Sequence, residues 1–385
     1  MSGRPPSQAT QATTVGGFTE QELIGRIQQR LPAPPDWLLV GIGDDAAVVE
    51  PERNRVEVLS VDCLVEGVHF DRSFVPPDAI GHRALAVNLS DLAAMGATPR
   101  LALVSLALPS TLAIADFDGM AGGLCALAAR HRTHIVGGNI TRTPGPLTID
   151  ITVSGAIKRR RSLTRRGARP GDDLYVSGSI GSAAVGLKIL RSPSPALNPG
   201  GPTAAPAVGW NPGVPTAAPA VGWNPGGPTA TPAVGWNSQS NLIDRYLRPE
   251  PRVRLGTLLA RNRAASACID LSDGLADGLR QIADASGVGV RIDADAVPID
   301  PGARDWFTRA GKDPVFEAMA GGDDYELLFA VRPRLRRRLQ ALIPIAGVPL
   351  TRIGTCTAEP GATVARAVAG APEMSPIPAG YRHFR

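Results

Sequence analysis

The sequence predicts a mixed α/β chain of two domains, and three observations carry this. At 385 residues the chain is long enough to bury two cores. Strand-like runs of β-branched and apolar residues recur between stretches of helical spacing, from Val56 through Gly354. A basic run from Lys158 to Arg169 ends in the turn Pro170-Gly171-Asp172, where a domain boundary is expected.

The composition narrows the function classes. The apolar fraction of 43% is ordinary for a globular protein. The net charge of +5 is mild, and Lys158, Lys188 and Lys312 are the only lysines among 40 basic residues. Arginine suits phosphate recognition. No dense basic arm with interleaved aromatics argues for nucleic acid. Cys63, Cys125, Cys268 and Cys356 are scattered, as expected of a reducing, cytoplasmic setting. No apolar run reaches the length of a membrane span, and no signal-like segment opens the chain.

Residues 1–17 are polar and expected to form a disordered tail. Thr19 and Glu22 have the spacing of a capping box, opening a helix to about Arg30 before Pro32, Pro34 and Pro35. Gly41-Ile42-Gly43-Asp44-Asp45 lies between two strand-like runs. It fits a plain turn, or adjacent carboxylates bridged by a divalent ion. Val56 to Val61 is a strand followed by Asp62. Ser60 and Asp62 alternate with Val61, so both face one side as hard oxygen donors. His69 follows in a loop.

The central stretch is Ala84 to Gly96. Leu85, Leu89 and Leu92 form an apolar stripe, with Asn88 and Asp91 together on a neighbouring face. A carboxylate in so apolar a helix is costly unless a cation meets it. A strand at Leu101–Leu108, a helix at Ile114–Arg130 and a strand from Ile135 into Gly137-Gly138-Asn139 come next; Gly-Gly amides suit phosphate or adenine. Leu147–Ile157 is an alternating strand. Past the boundary, a strand at Leu174–Ser177 leads through a Gly turn into a helix to Leu190.

Residues 192–237 hold three near-identical copies of a 13-residue Pro/Gly/Trp unit, at 198–210, 211–223 and 224–236. They read as a flexible insertion in a surface loop. A helix at Val253–Arg263 precedes Ala267-Cys268-Ile269-Asp270-Leu271-Ser272-Asp273-Gly274, an apolar strand running into two carboxylates and a helix to about Ala285. Ser272 or Asp273 is a candidate cap, which does not explain both carboxylates at the strand end. Val288–Ile292 is a strand and Gly302–Ala310 a helix. Gly321-Gly322-Asp323-Asp324 precedes another strand, then a helix at Leu335–Leu342 and a strand at Leu350–Gly354.

Asp45, Asp62, Asp91, Asp270 and Asp273 thus share one pattern, a carboxylate beside small residues at the edge of an apolar element. There is no P-loop and no protein-kinase signature. A nucleotide site built from carboxylates must hold phosphates through Mg²⁺.

Five segments in order, Gly41–Val48, Ala86–Ala97, Leu163–Asp172, Ile269–Leu275 and Gly321–Leu327, resemble the thiamine-monophosphate kinase family of the aminoimidazole-ribonucleotide-synthetase-like superfamily. The resemblance implies an α/β (α+β) fold, with an N-terminal domain at 18–164 holding the metal and ATP site. It implies a C-terminal domain at 165–385, interrupted by the insertion, and a homodimer in which N-terminal sheets pair. It further implies that Asp45, Ser60, Val61, Asp62, Asp91, Asn139, Asp270 and Asp273 hold several Mg²⁺ ions. Gly138, Asn139, Arg165 and Ser272 would contact ATP; His69, Asp323 and Tyr381 would contact thiamine monophosphate. Three positions depart from the family pattern. Asn139 replaces a common Asp, Val61 replaces a Thr and offers only its carbonyl, and Asp323 replaces a longer Glu. The implied reaction is in-line transfer of the ATP γ-phosphoryl group to the substrate phosphate, assisted by metal at Asp45, Asp91 and Asp270 with no general base. The alternatives are a sister ATP-dependent enzyme with another acceptor, or a non-catalytic nucleotide-binding or interaction protein.

Overall fold

The computed structural model describes residues 13–192, 238–368 and 371–380. The repeat insertion, apart from Ser192, and Tyr381 lie outside the described residues. So does most of the expected tail, but its end is ordered. Val15–Gly17 form a 3₁₀ turn with Val15 5% exposed, and Thr14 bridges to Ala113. The apolar Val15 has a core to enter, which polar composition alone could not show.

The N-terminal half begins with α1 (Glu20–Gln28), whose capping box is complete: Thr19 Oγ1 accepts from the Glu22 amide, and Glu22 accepts from the Thr19 amide at 2.8 Å. Strands β1 (Leu38–Val40) and β2 (Val48–Val49) flank the Gly-Asp-Asp loop. Then come β3 (Arg55–Val65), α2 (Pro77–Ala94), β4 (Thr98–Pro109), α3 (Ile114–Arg130), β5 (His134–Thr143) and β6 (Thr148–Lys158). The four long strands form one sheet in the order β3-β6-β4-β5. Two boundaries differ from expectation. Asp62 lies inside β3, because β3 pairs with β6 along its whole length to Val65. Gly137 and Gly138 lie inside β5, held by parallel pairing to β4.

Helix α2 is apolar on nearly every side and therefore buried on nearly every side. Leu85, Leu89 and Leu92 are fully buried. Gly81 and Gly123 let α2 and α3 touch backbone to backbone. A Cβ on Gly81 would stand 1.9 Å from the Met120 carbonyl oxygen, and one on Gly123 1.9 Å from that of Asp78.

The C-terminal half contains β7 (Asp173–Ser177), α4 (Ser182–Arg191), α5 (Ser238–Leu247), α6 (Val253–Asn262), β8 (Ala267–Asp270), α7 (Leu275–Ser286) and β9 (Gly289–Asp293). It continues with α8 (Pro301–Arg309), α9 (Pro314–Ala320), β10 (Leu327–Val331), α10 (Arg336–Ala346), β11 (Leu350–Thr357), β12 (Ala362–Val368) and β13 (Ala371–Pro376). Among the described residues its sheet runs β13-β12-β9-β11-β7-β10-β8. Helices α5 and α9 and strands β12 and β13 go beyond the sequence reading. One apolar core spans α2, the N-terminal sheet and the near side of the second sheet, through Cys268, Leu327 and Phe329. A second core fills the far side of that sheet under α7 and α8. Helix α2 therefore lies at the junction of the two halves.

Candidate active site

Three polar positions within one turn of α2 organise the carboxylates. Asn88 is fully buried. Its amide donates to the Ala84 carbonyl at 3.0 Å, and its side-chain oxygen accepts from the Asp62 backbone N–H at 3.1 Å. It locks α2 to β3 beside Asp62. Ser90, also fully buried, donates its hydroxyl to Asp270 at 2.7 Å, which ties α2 to β8. Asp91 accepts from the Ser60 hydroxyl. The expected pairing of Ser60 and Asp62 on one face of β3 is present, and that face meets α2.

These groups resist ionisation. Burial pushes Asp62 up to about 7, helped by repulsion from Asp91, Asp150 and Asp273. Burial likewise pushes Asp270 up to about 7; Asp91 and Asp62 add to this, while the Ser90 hydroxyl opposes it. Asp91 is raised by burial, and the Ser60 hydroxyl and the Arg165 guanidinium pull it back. Such a set is a hard-oxygen site waiting for positive charge. Among the described residues no three His, Cys, Asp or Glu side chains form a ready metal cage. Mg²⁺ characteristically takes one or two carboxylates and completes its shell with phosphate and water, so the donors present fit that ion.

Asp62, Asp91, Asp270, Ser272, Asp273, His69 and Asp323 line one cavity of about 550 Å³. Neither Ser272 nor Asp273 caps α7. Its N-cap is Gly274, with φ +94° and no side-chain cap bond, so the capping alternative gives way. His69 accepts from the Val65 amide at 3.0 Å, which fixes its ring. The loop before β10 is pinned by Asp323 N–H to the Ser272 carbonyl, 2.7 Å, and Tyr325 N–H to the Leu271 carbonyl, 3.0 Å. Asp323 and Tyr325 both sit at positive φ, +68° and +50°, a conformation that non-glycine residues adopt at a cost and that clusters at functional sites. The adjacent aspartates divide their roles. Asp323 faces the cavity and pairs with Arg83. Asp324 is buried and accepts from the Gly181 amide, 2.8 Å, and the Ala183 amide, 3.4 Å, at the start of α4.

The structure does not bring every expected residue to this cavity. Asp45, Gly138 and Asn139 line a second cavity of about 600 Å³, between the 41–47 loop and the face of the N-terminal sheet turned away from α2. In sequence Asp45 has the same carboxylate-beside-small-residue signature as Asp91, but an exposed loop carries it over the other side of the sheet. Asp150 lines this second cavity and its charge reaches Asp62. Gly138 is required there by close approach, since a Cβ would stand 1.8 Å from the Val104 carbonyl oxygen. Val61 points its side chain onto this same outer face and is 57% exposed. Arg165 is exposed, with its carbonyl accepting from the Ser286 hydroxyl at 3.1 Å. Of the C-terminal segment that leads to Tyr381, Gly380 packs against Asp277 and the Asp273 carbonyl.

Two residues of the site, Ser90 and Arg83, are not among the expected site residues. Both stand inside the apolar run of α2, where a polar group must find a buried partner, and that was the available signal.

Residues 43–157 match the family model for the AIR synthase related protein, N-terminal domain, and residues 229–366 that for its C-terminal domain. The thiamine-monophosphate kinase of Bacillus subtilis (strain 168) is 33% identical, over 90% of this chain and 94% of that protein. The one from Salmonella typhimurium is 35% identical, over 88% and 91%. The crystal structure of the thiamine-monophosphate kinase from Stenotrophomonas maltophilia K279a superposes with TM-score 0.72 at 36% identity, covering 90% of this chain and 96% of that one. The structure of AaThiL complexed with AMPPCP and TMP gives 0.66 at 28%, covering 98% and 100%.

Proposed function

Because the chain belongs to the thiamine-monophosphate kinase family, within the AIR synthase related proteins, we propose that it transfers the γ-phosphoryl group of ATP to thiamine monophosphate, giving thiamine pyrophosphate and ADP, at the cavity lined by Asp62, Asp91 and Asp270. The observation that carries this reading is the convergence of carboxylates from β3, α2 and β8 on one cavity. AaThiL, solved with an ATP analogue and TMP, supports the choice of the two substrates.

Mg²⁺ would be held by Asp62, Asp91, Asp270 and Asp273, with Ser60 steadying Asp91. It supplies charge neutralisation between two phosphates that otherwise repel. The acceptor needs no general base, since the second pKa of a phosphate monoester is about 6 and its oxygen is already ionised. The chain's task is therefore positioning. His69 and Asp323 line the same cavity and are assigned to thiamine monophosphate, together with Tyr381. Ser272 in that cavity and Arg165, whose charge reaches Asp91, are assigned to the ATP phosphates. Gly138 and Asn139, with Asp45, are assigned to the remainder of the nucleotide. Two domains, divided near Arg165, would each supply part of the site.

A homodimer is supported by the outer face of the N-terminal sheet, where Leu59 is 70% and Val61 57% exposed. An apolar sheet face left open in one subunit suits a second copy. Among the described residues no helix is long and apolar enough to cross a membrane. The four cysteines are unpaired, which suits the cytoplasm.

The test is conversion of thiamine monophosphate to thiamine pyrophosphate by purified protein with ATP and Mg²⁺, with an EDTA control. Product that disappears with EDTA is the expected result. Nucleotide binding without product overturns the acceptor assignment.

A further inference from the structure

Arg83 is 3% exposed, yet it belongs to the wall of the carboxylate cavity. It reaches from α2 in one half of the molecule to two elements of the other. One end of its guanidinium donates to the Tyr246 carbonyl at 2.7 Å, and the other donates to Asp323 Oδ1. Its Cζ lies 4.6 Å from the ring centroid of Tyr246 and 5.9 Å from that of Tyr325. Its Nε is buried, with no hydrogen-bond partner among the described residues. With both terminal nitrogens bonded to protein groups and almost no exposed surface, this arginine is placed to hold parts of the protein together.

What it controls is Asp323. The same Oδ1 also accepts from the Tyr325 hydroxyl at 3.2 Å. The Asp323 side chain keeps 30% of its surface exposed, and no hydrogen bond to Oδ2 is found among the described residues. Two donors on one oxygen of a carboxylate held at positive φ fix its rotation.

We infer that Arg83 is a positioning residue for substrate recognition: with Tyr325 it occupies Oδ1 of Asp323 and leaves Oδ2 as the acceptor for an N–H of the substrate's aminopyrimidine ring. This rests on the assignment of thiamine monophosphate to the cavity. The ATP phosphates are assigned to other side chains of the cavity, which neither Arg83 nor Asp323 holds by a side-chain bond.

The experiment measures kcat, KM for each substrate, and calorimetric binding of thiamine monophosphate without ATP. Arg83→Gln is expected to raise KM and Kd for thiamine monophosphate about tenfold or more, the scale of one charge-assisted hydrogen bond, with KM for ATP within about twofold. Arg83→Lys recovers part of the loss. Asp323→Asn matches Arg83→Gln, and the double variant is no worse than the worse single one, because the two act as a unit. Should Arg83→Gln fail to fold, Tyr325→Phe removes one donor and keeps the ion pair; it is expected to raise the same KM about threefold. Equal rises in both KM values, or multiplying effects in the double variant, overturn the role of Arg83. Wild-type protein that neither binds nor converts thiamine monophosphate overturns the functional reading itself.

Discussion

The Ser90 hydroxyl donates to the Asp270 carboxylate at 2.7 Å, so a helix of one half of the molecule holds a candidate metal ligand of the other. Both residues are buried, and the bond pulls against the burial that raises Asp270. Ser90→Ala is expected to cost about 1 kcal/mol of stability. It is also expected to lower kcat/KM by about 10–100-fold, as loss of an outer-shell partner typically does. The acid limb of the pH–rate profile should move to higher pH, because Asp270 then holds its proton more tightly. An unchanged acid limb would remove Asp270 from the ionising set.

The same carboxylates set a pH dependence for magnesium. Asp62 and Asp270 titrate near 7 in the folded protein against an ordinary value of 3.8. The unfolded chain loses these protons first. Their contribution to stability is therefore complete below the ordinary value and declines as pH rises through the folded value. Mg²⁺ competes for the ionised form. At about pH 8 it should raise the melting temperature by several degrees, and at about pH 5.5 by much less, on a scale of about 2–4 °C per kcal/mol. A scan of melting temperature against pH, with and without Mg²⁺, checks this. A shift independent of pH would mean that the ion binds elsewhere.

How much of this was legible in the sequence depended on whether the signal was local. Thr19 and Glu22 announce their helix because a capping box needs no distant partner. Asp313-Pro314 announces α9 in the same way. Asp313 accepts from the Val315 amide at 2.9 Å with proline at the first helical position, but the sequence reading passed over it. The carboxylates of the site were legible as polar interruptions of apolar runs. Their partition was not, because Asp45 and Asp91 look alike until the sheet places one on each side of itself. Arg83 was silent for the opposite reason. Its partners, Tyr246 and Asp323, are far along the chain, and only the fold brings them together.

Asp91 stands between Asp62 and Asp270 electrostatically and raises both. Asp91→Asn removes that repulsion. In the absence of Mg²⁺ the variant is expected to melt at or above the wild-type temperature, while kcat falls more than about a hundredfold. Calorimetry and the product assay on one preparation separate the two effects. Retained turnover would exclude Asp91 as a metal ligand.

Gly138 sits where β4 and β5 approach, and an added Cβ would collide with the Val104 carbonyl oxygen at 1.8 Å. The backbone on both sides belongs to a paired strand and has little room to yield. Gly138→Ala is expected to cost about 1–3 kcal/mol of stability and to raise KM for ATP while leaving KM for thiamine monophosphate near wild type. Denaturant melts and the two KM values test this. Equal effects on both substrates would move the nucleotide away from the second cavity.

The outer face of the N-terminal sheet gives the last prediction. Leu59 and Val61 alternate along β3 with Ser60 and Asp62, so they project away from α2 and from the carboxylate cavity. Burying one such side chain stabilises an interface by about 1.5–3 kcal/mol, and a charge in its place leaves an unpaired ion there. In analytical ultracentrifugation the wild-type protein is therefore expected to sediment as the proposed dimer and Val61→Glu as a monomer. The N-terminal fold should survive, because in a monomer the new side chain meets only water. If the variant sediments as a dimer like the wild type, the partner subunit docks on another surface, and the open face of this sheet needs a different occupant.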